Sequence, residues 1–180
     1  KKQTGGSGQF ADCWLRVEPN PGKGYEYKDE IVGGRIPRQF IPAIDKGVQH
    51  AMLEGVLAGY PMVDVKVSVY DGSYHAVDSN EMAFRTAARL GFRAAVEQAN
   101  MILLEPVATL VIDVPGSYAG AVMGDMSSRR GRVLGMEMVD DMERIRAQVP
   151  YAEVVHYSPT LRSITHGTGT YSIEIGEYAE

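Results

Sequence analysis

An α+β fold is what this sequence predicts, and three observations predict it. Residues 63–70 and 108–114 alternate apolar with polar side chains at period two, as half-buried strands do. Residues 38–54 and 79–98 carry apolar side chains three and four apart, the spacing of a helix with one face in a core. From residue 104 onward the segments follow the order strand, helix, strand, strand, helix, strand. The 180 residues are 44% apolar and 23% charged, a composition suited to packed units and contrary to disorder.

Taken in order, Lys1 to Gln9 is glycine-rich with no apolar grip and reads as a linker cut from a longer protein. Phe10 to Glu18 and Tyr25 to Val32 are predicted strands, joined by the turn-rich Pro19-Asn20-Pro21-Gly22-Lys23-Gly24. Gly33-Gly34 breaks the chain. Phe40, Ile41, Ile44, Val48 and Met52 then mark a helix over 38–54, stopped by Gly55. Val63 to Tyr70 is the clearest strand, with Asp71-Gly72 read as the turn that ends it. In the helix predicted over 79–98, Asp78 and Glu81 stand three apart as a variant capping box, and Phe84, Ala87, Ala88, Gly91 and Ala95 form the buried stripe.

The pattern resets near Met101, which sets the predicted domains at 1–101 and 102–180. Pro106 and Pro115 bracket a strand whose Ala108, Leu110, Ile112 and Val114 share one face. A helix over 117–130 should stop at Gly131 as a left-handed cap. Val133 to Met138 and Ile145 to Val149 read as a hairpin bent at Asp140-Asp141. Residues 152–165 are helical in pattern, with Pro159 kinking the helix or starting it afresh. Tyr171 to Ile175 closes the unit. That order is the split βαββαβ pattern of ferredoxin-like domains.

The net charge of −5 counts against a dedicated nucleic-acid binder, but it is unevenly placed. Residues 1–101 hold all six Lys and are neutral overall, whereas residues 102–180 hold no Lys and carry the whole deficit. No apolar run approaches the roughly 18 residues of a membrane span. The single Cys13 cannot form an internal disulfide, so a reducing cytoplasm is the expected setting. Cys13 beside Trp14 reads as a small core residue rather than a reactive thiol.

Chemistry is scarce in these residues. No Gly-x4-Gly-Lys-Ser/Thr run is present to cradle phosphates, and Gly167-Thr168-Gly169-Thr170 joins helix to strand, the wrong way round for that task. No His pair has metal-helix spacing, one Cys cannot build a zinc site, and no Gly-x-Ser-x-Gly elbow supports hydrolysis. The expectation is therefore no catalytic residue, no cofactor and no metal in this chain.

Several blocks nevertheless match a family. Gly5-Gly6-Ser7-Gly8-Gln9, Gly33-Gly34-x-Ile36-Pro37, Ile41-Pro42-Ala43-Ile44-Asp45-Lys46-Gly47 and Leu57-Ala58-Gly59-Tyr60-Pro61 resemble the fourth domain of bacterial elongation factor G. Gly72-Ser73-Tyr74-His75-Ala76-Val77-Asp78-Ser79 resembles the loop at that domain's tip. Leu103-Leu104-Glu105-Pro106, Gly124-Asp125-Met126-Ser127-Ser128-Arg129-Arg130-Gly131 and Leu161-Arg162-Ser163-Ile164-Thr165-x-Gly167 resemble its fifth domain. The blocks stand in the family's order across essentially all 180 residues. Four positions depart from the family's usual residues: Ser7, Ala76, Asn80 and Ser128.

The resemblance implies a ribosomal-protein-S5-domain-2-like βα domain followed by a ferredoxin-like domain. It implies the fourth and fifth domains of a translational GTPase that drives tRNA and mRNA movement. GTP and magnesium would belong to a G domain outside these residues. The partner it implies is the ribosome: the decoding region with tRNA and mRNA for the first domain, and large-subunit rRNA near the GTPase-associated region for the second. A recycling or ribosome-protection paralogue is the nearer alternative, and a stand-alone small-molecule-binding module the more distant one.

The candidate contacts follow. His75 sits between a strand and a helix start, where it is either a solvated loop histidine or a group that stacks on bases and meets phosphate. Ser73, Tyr74, Asp78 and Ser79 either order that loop or meet RNA, and Asp78 reads equally as a helix cap. Lys23, between Gly22 and Gly24, is placed at the same tip. Glu81, Arg85, Arg89, Arg93 and Glu97 recur every four residues, either as a solvated stripe or as an rRNA contact. Arg129, Arg130 and Arg132 surround one helix end, and Arg162 and His166 another; each set suits a helix dipole or a phosphate.

Overall fold

The computed structural model describes residues 8–179, and the chain divides between Met101 and Ile102 into two compact units. Gly5, Gly6 and Ser7 of the glycine-rich block lie outside the described residues.

The first unit contains β1 (Asp12–Pro19), β2 (Glu26–Asp29), a 3₁₀ turn (Arg38–Phe40), α1 (Ile41–Glu54), β3 (Val65–Ser73) and α2 (Glu81–Glu97). The sheet order is β1-β3-β2, with β1 antiparallel and β2 parallel to β3. Val65, Val67 and Val69 of β3 pack in one core with Ile44, Val48, Ala51, Phe84, Ala88 and Phe92 of the two helices. α1 and α2 pack closely because Gly47 has no side chain. A Cβ there would overlap the Arg85 carbonyl oxygen of α2.

Four expectations for this unit need correction. The central strand begins at Val65 rather than Val63, because Asp64 adopts φ 56° and its carboxylate accepts the N–H groups of Gly22 (3.1 Å) and Gly24 (2.9 Å). Asp71-Gly72 is no turn. Trp14 opposes Asp71 while Leu15 opposes Val69, so Tyr70 is an extra residue and β3 runs on through a bulge to Ser73. A Cβ at Gly72 would strike the Asp12 carbonyl oxygen and the Ile36 side chain, so only glycine passes there. Finally, α2 is capped by Asn80, not Asp78: Asn80 Oδ1 accepts the Ala83 N–H at 2.8 Å. The buried stripe of α2 is Phe84-Ala88-Phe92-Val96, with Ala87, Gly91 and Ala95 only half-buried beside it.

The second unit contains β4 (Glu105–Val114), α3 (Gly116–Ser128), β5 (Arg132–Val139), β6 (Met142–Pro150), a 3₁₀ turn (Tyr151–Glu153), α4 (Tyr157–Ile164) and β7 (Thr170–Ala179). Its sheet order β5-β6-β4-β7, antiparallel throughout, is that of the ferredoxin-like βαββαβ fold. Ala108, Leu110, Ile112 and Val114 are fully buried, as their alternation predicts. Asp140 and Asp141 both take positive φ (49° and 64°) and close the β5–β6 hairpin in two residues.

Two details differ from expectation here. The left-handed residue after α3 is Arg130 (φ 59°), not Gly131. Gly131 instead donates its N–H to the Met126 carbonyl at 2.8 Å, closing a Schellman-type end with Arg130 in the position glycine usually fills. The second helix is also shorter than residues 152–165. Tyr151–Glu153 makes a separate 3₁₀ turn, and Pro159 falls third in α4, where its missing N–H leaves no helical bond unmade.

Candidate nucleic-acid interface

The loop after β3 is built from short polar side chains bonded to main chain. Ser79 Oγ accepts the His75 N–H at 2.8 Å and donates to the Phe10 carbonyl at 2.7 Å. The Ser79 N–H returns to the His75 carbonyl at 3.0 Å. Asp78 holds the Gly8 N–H with Oδ1 at 3.0 Å, and its own carbonyl accepts the Phe10 N–H at 2.9 Å. Its Oδ2 lies 3.3 Å from His75 Nδ1. Ser73 Oγ donates to Asp12 Oδ2 at 3.0 Å, securing the root of the same pair of segments.

The tip is therefore two strips of chain, 8–12 and 73–79, held side by side. What it presents outward is the His75 side chain, 59% exposed, with Tyr74 and Val77 also exposed. Of the predicted contacts, His75 and Tyr74 face solvent, while Ser73, Asp78 and Ser79 order the loop.

Lys23 does not belong to this tip. Pro19 pairs with Val65 at one end of β3, and Asp12 pairs with Ser73 at the other. The Lys23 turn is tied to Asp64 beside the first end, roughly 25 Å of strand away from His75. Turn chemistry made a loop legible at Lys23 but held no information on which end of the sheet it joins.

On α2 the arginine stripe is partly consumed within the unit. Arg89 forks Glu54 of α1 at 2.9 and 2.8 Å, and that guanidinium holds the Glu54 carboxyl below its ordinary range. Arg93 and Glu97 approach to 3.9 Å. Arg85 Nε is buried without a hydrogen-bond partner among the described residues.

In the second unit, Arg129 turns inward. Its guanidinium donates to Asp125 Oδ2 (2.9 Å), the Glu153 carbonyl (2.6 Å) and Thr160 Oγ1 (3.2 Å), and it lies 5.2 Å from the centre of the buried Tyr157 ring. Burial first, and then Asp125, raise the Tyr157 hydroxyl well above the usual tyrosine range. The expected phosphate contact thus has no free donor fork at Arg129. Three of its N–H groups, one on each nitrogen, join the end of α3 to the 3₁₀ turn and α4. Arg130 is exposed but forks Glu105 at 2.6 and 3.1 Å and reaches Glu153 at 3.2 Å. The hydrogen bonds it donates to Glu105 and Glu153 raise its pKa, fixing a positive charge inside an acidic clamp.

Arg162 is exposed on α4, and His166 (φ 51°) is exposed just after it, its ring 5.8 Å from that of Tyr118. Buried Thr165 anchors this corner: its hydroxyl donates to the Leu161 carbonyl at 2.7 Å and accepts the Gly169 N–H at 2.9 Å. Sequence reasoning missed Asp12, Phe10, Glu105 and Glu153 as partners. Each meets its arginine or serine only through the fold.

Residues 1–100 match the family described as elongation factor G, domain IV, and residues 102–180 match the elongation factor G C-terminus. The chain belongs to the elongation factor G family. A crystal structure from Thermus thermophilus is 44% identical to it, with a TM-score of 0.82, over 99% of this chain and 27% of that one. The chain thus spans little more than a quarter of that solved relative. The first unit has the fold of elongation factor G domain IV, and the second that of its C-terminal domain.

Burial, followed by the Asp12 charge, pushes the Cys13 thiol up to about 11, which keeps it protonated and unreactive. Among the described residues, no group of three His, Cys, Asp or Glu is placed to hold a metal ion, and no helix is long and apolar enough to cross a membrane.

Proposed function

We propose that this chain is the ribosome-facing C-terminal part of a cytoplasmic translational GTPase that drives tRNA and mRNA movement. The supporting observation is the His75 loop in a domain of elongation factor G type: an exposed imidazole carried on a loop whose Asp78 and Ser79 side chains are bonded to main-chain groups of the same unit. A loop so braced keeps its shape against a partner and offers an aromatic, hydrogen-bonding group to RNA. Domain IV acts as a mechanical wedge at the decoding region. The C-terminal domain meets large-subunit rRNA near the GTPase-associated region, where Arg162 and His166 are its exposed basic candidates. GTP and magnesium bind in a G domain outside these residues, and the energy of hydrolysis is delivered from there.

The test separates movement from hydrolysis. His75→Ala in the full-length factor should slow translocation on ribosomes several-fold while ribosome-stimulated GTP turnover stays near normal. An unchanged translocation rate would overturn the assignment of the tip. Subunit splitting with recycling factor, in the absence of any translocation, would instead identify the parent as a recycling paralogue.

A further inference from the structure

The tip is stitched together by hydrogen bonds between residues 61 to 70 positions apart, and the Asp78 and Ser79 side chains make two of them. The Ser79 hydroxyl is used in both directions, accepting from the His75 N–H and donating to the Phe10 carbonyl. The Asp78 carboxylate accepts the Gly8 N–H with one oxygen and places the other 3.3 Å from His75 Nδ1. Neither residue starts the following helix, because Asn80 supplies that cap. A helix N-terminus could have been made with Asn80 alone. The bonds made by Asp78 and Ser79 therefore serve the loop.

We propose that Ser79 and Asp78 are positioning residues that tie the His75 loop to the Gly8–Phe10 segment, so that domain IV carries one preformed RNA-reading tip. The proposal rests on the functional reading above and adds which residues prepare the site. Ordering a loop costs backbone entropy, and a loop ordered in advance does not draw that cost from its binding to RNA. The clasp also sets what the ring offers. A neutral imidazole carries one proton, and the carboxylate oxygen 3.3 Å from Nδ1 favours the proton on that nitrogen. Nε2 is left as an acceptor on an exposed side chain. It suits an RNA group that donates, such as a ribose 2′-hydroxyl or a base amino group.

Amide exchange by NMR on the 180-residue chain tests the clasp directly. Ser79→Ala should speed exchange of the His75 amide about tenfold, the loss of one hydrogen bond, with core amides such as Val67 unchanged. Ser79→Thr, which keeps the hydroxyl, should restore protection. Long-range proton–nitrogen spectra should show the neutral His75 ring protonated on Nδ1, and Asp78→Asn should move that proton to Nε2.

In the full-length factor, Ser79→Ala should slow translocation and Ser79→Thr should recover it. Unchanged His75 exchange in Ser79→Ala, or a wild-type ring protonated on Nε2, overturns the proposal. So does altered exchange with an unaltered translocation rate in Ser79→Ala. An unaltered rate in His75→Ala alone instead overturns the functional reading and leaves the clasp as architecture.

Discussion

The tip of domain IV and the arginine-bearing end of α3 in the C-terminal domain were both candidates for RNA contact, and they are built on opposite plans. At the tip, neutral or acidic side chains bond main-chain groups and leave a titratable ring exposed. At the α3 end, the charged groups themselves are consumed: Arg129 on Asp125, the Glu153 carbonyl and Thr160, and Arg130 on Glu105 and Glu153. A residue's charge therefore says little about its availability. What its neighbours take from it decides whether a partner can reach it.

The comparison breaks first at Arg129. If its role is internal, Arg129→Ala should lower the stability of the C-terminal domain by about 2–3 kcal/mol, since it strands a partly buried carboxylate and a carbonyl together. Arg130→Gly, by contrast, removes only exposed ion pairs and relieves a left-handed residue, so its melting temperature should stay level or rise slightly. Calorimetry of the two variants checks both. Equal losses would mean that Arg130 is as structural as Arg129.

A smaller effect sharpens the other side. Asn80→Ala should cost domain IV about 1 kcal/mol by uncapping α2, measured by denaturant unfolding. It should leave His75 amide protection intact. A loosened His75 loop in that variant would merge cap and clasp into one device.

The smallest effect is one of pH. Arg144 forks Asp113 across the C-terminal sheet at 2.8 and 2.9 Å and holds the Asp113 carboxyl below its ordinary value of 3.8. A depressed carboxyl contributes stability that is fully present above the unfolded value and is lost as pH falls through the folded one. Acid unfolding should therefore steepen below about pH 4 in the wild type, and Asp113→Asn should flatten that limb. Matching acid limbs in the two proteins would exclude the pair as a contributor. The carboxylate at the tip is held differently, because Asp78 is committed to an N–H group and a ring rather than to an arginine.

Much of the fold was legible in the residues. Val65, Val67 and Val69 alternate into one core and Ala108 to Val114 into the other, and the strand and helix order of residues 104–175 already spelled the ferredoxin-like sheet. These signals are local: period two and period 3.6 report which face is buried without needing a partner. The hairpin at Asp140-Asp141 and the exposure of His75 were legible for the same reason, since turn residues and a strand-to-helix junction declare themselves within a few positions.

The errors lay where a local rule met a distant atom. Asp71-Gly72 looks like a turn, yet pairing with Trp14 and Cys13 of β1 carries the strand through it. Asp78 looks like a cap, yet Gly8, 70 residues away, takes its carboxylate. Lys23 lies in a loop as read, but strand register sends that loop to the far end of β3. Sequence alone thus determined the elements, their order and the two cores, because each is encoded in spacing along the chain, and its residue blocks carried the family resemblance. Only the tertiary structure decided which polar groups remain free. A hydrogen bond satisfies whichever donor and acceptor the fold brings within about 3 Å, and sequence separation places no limit on that choice.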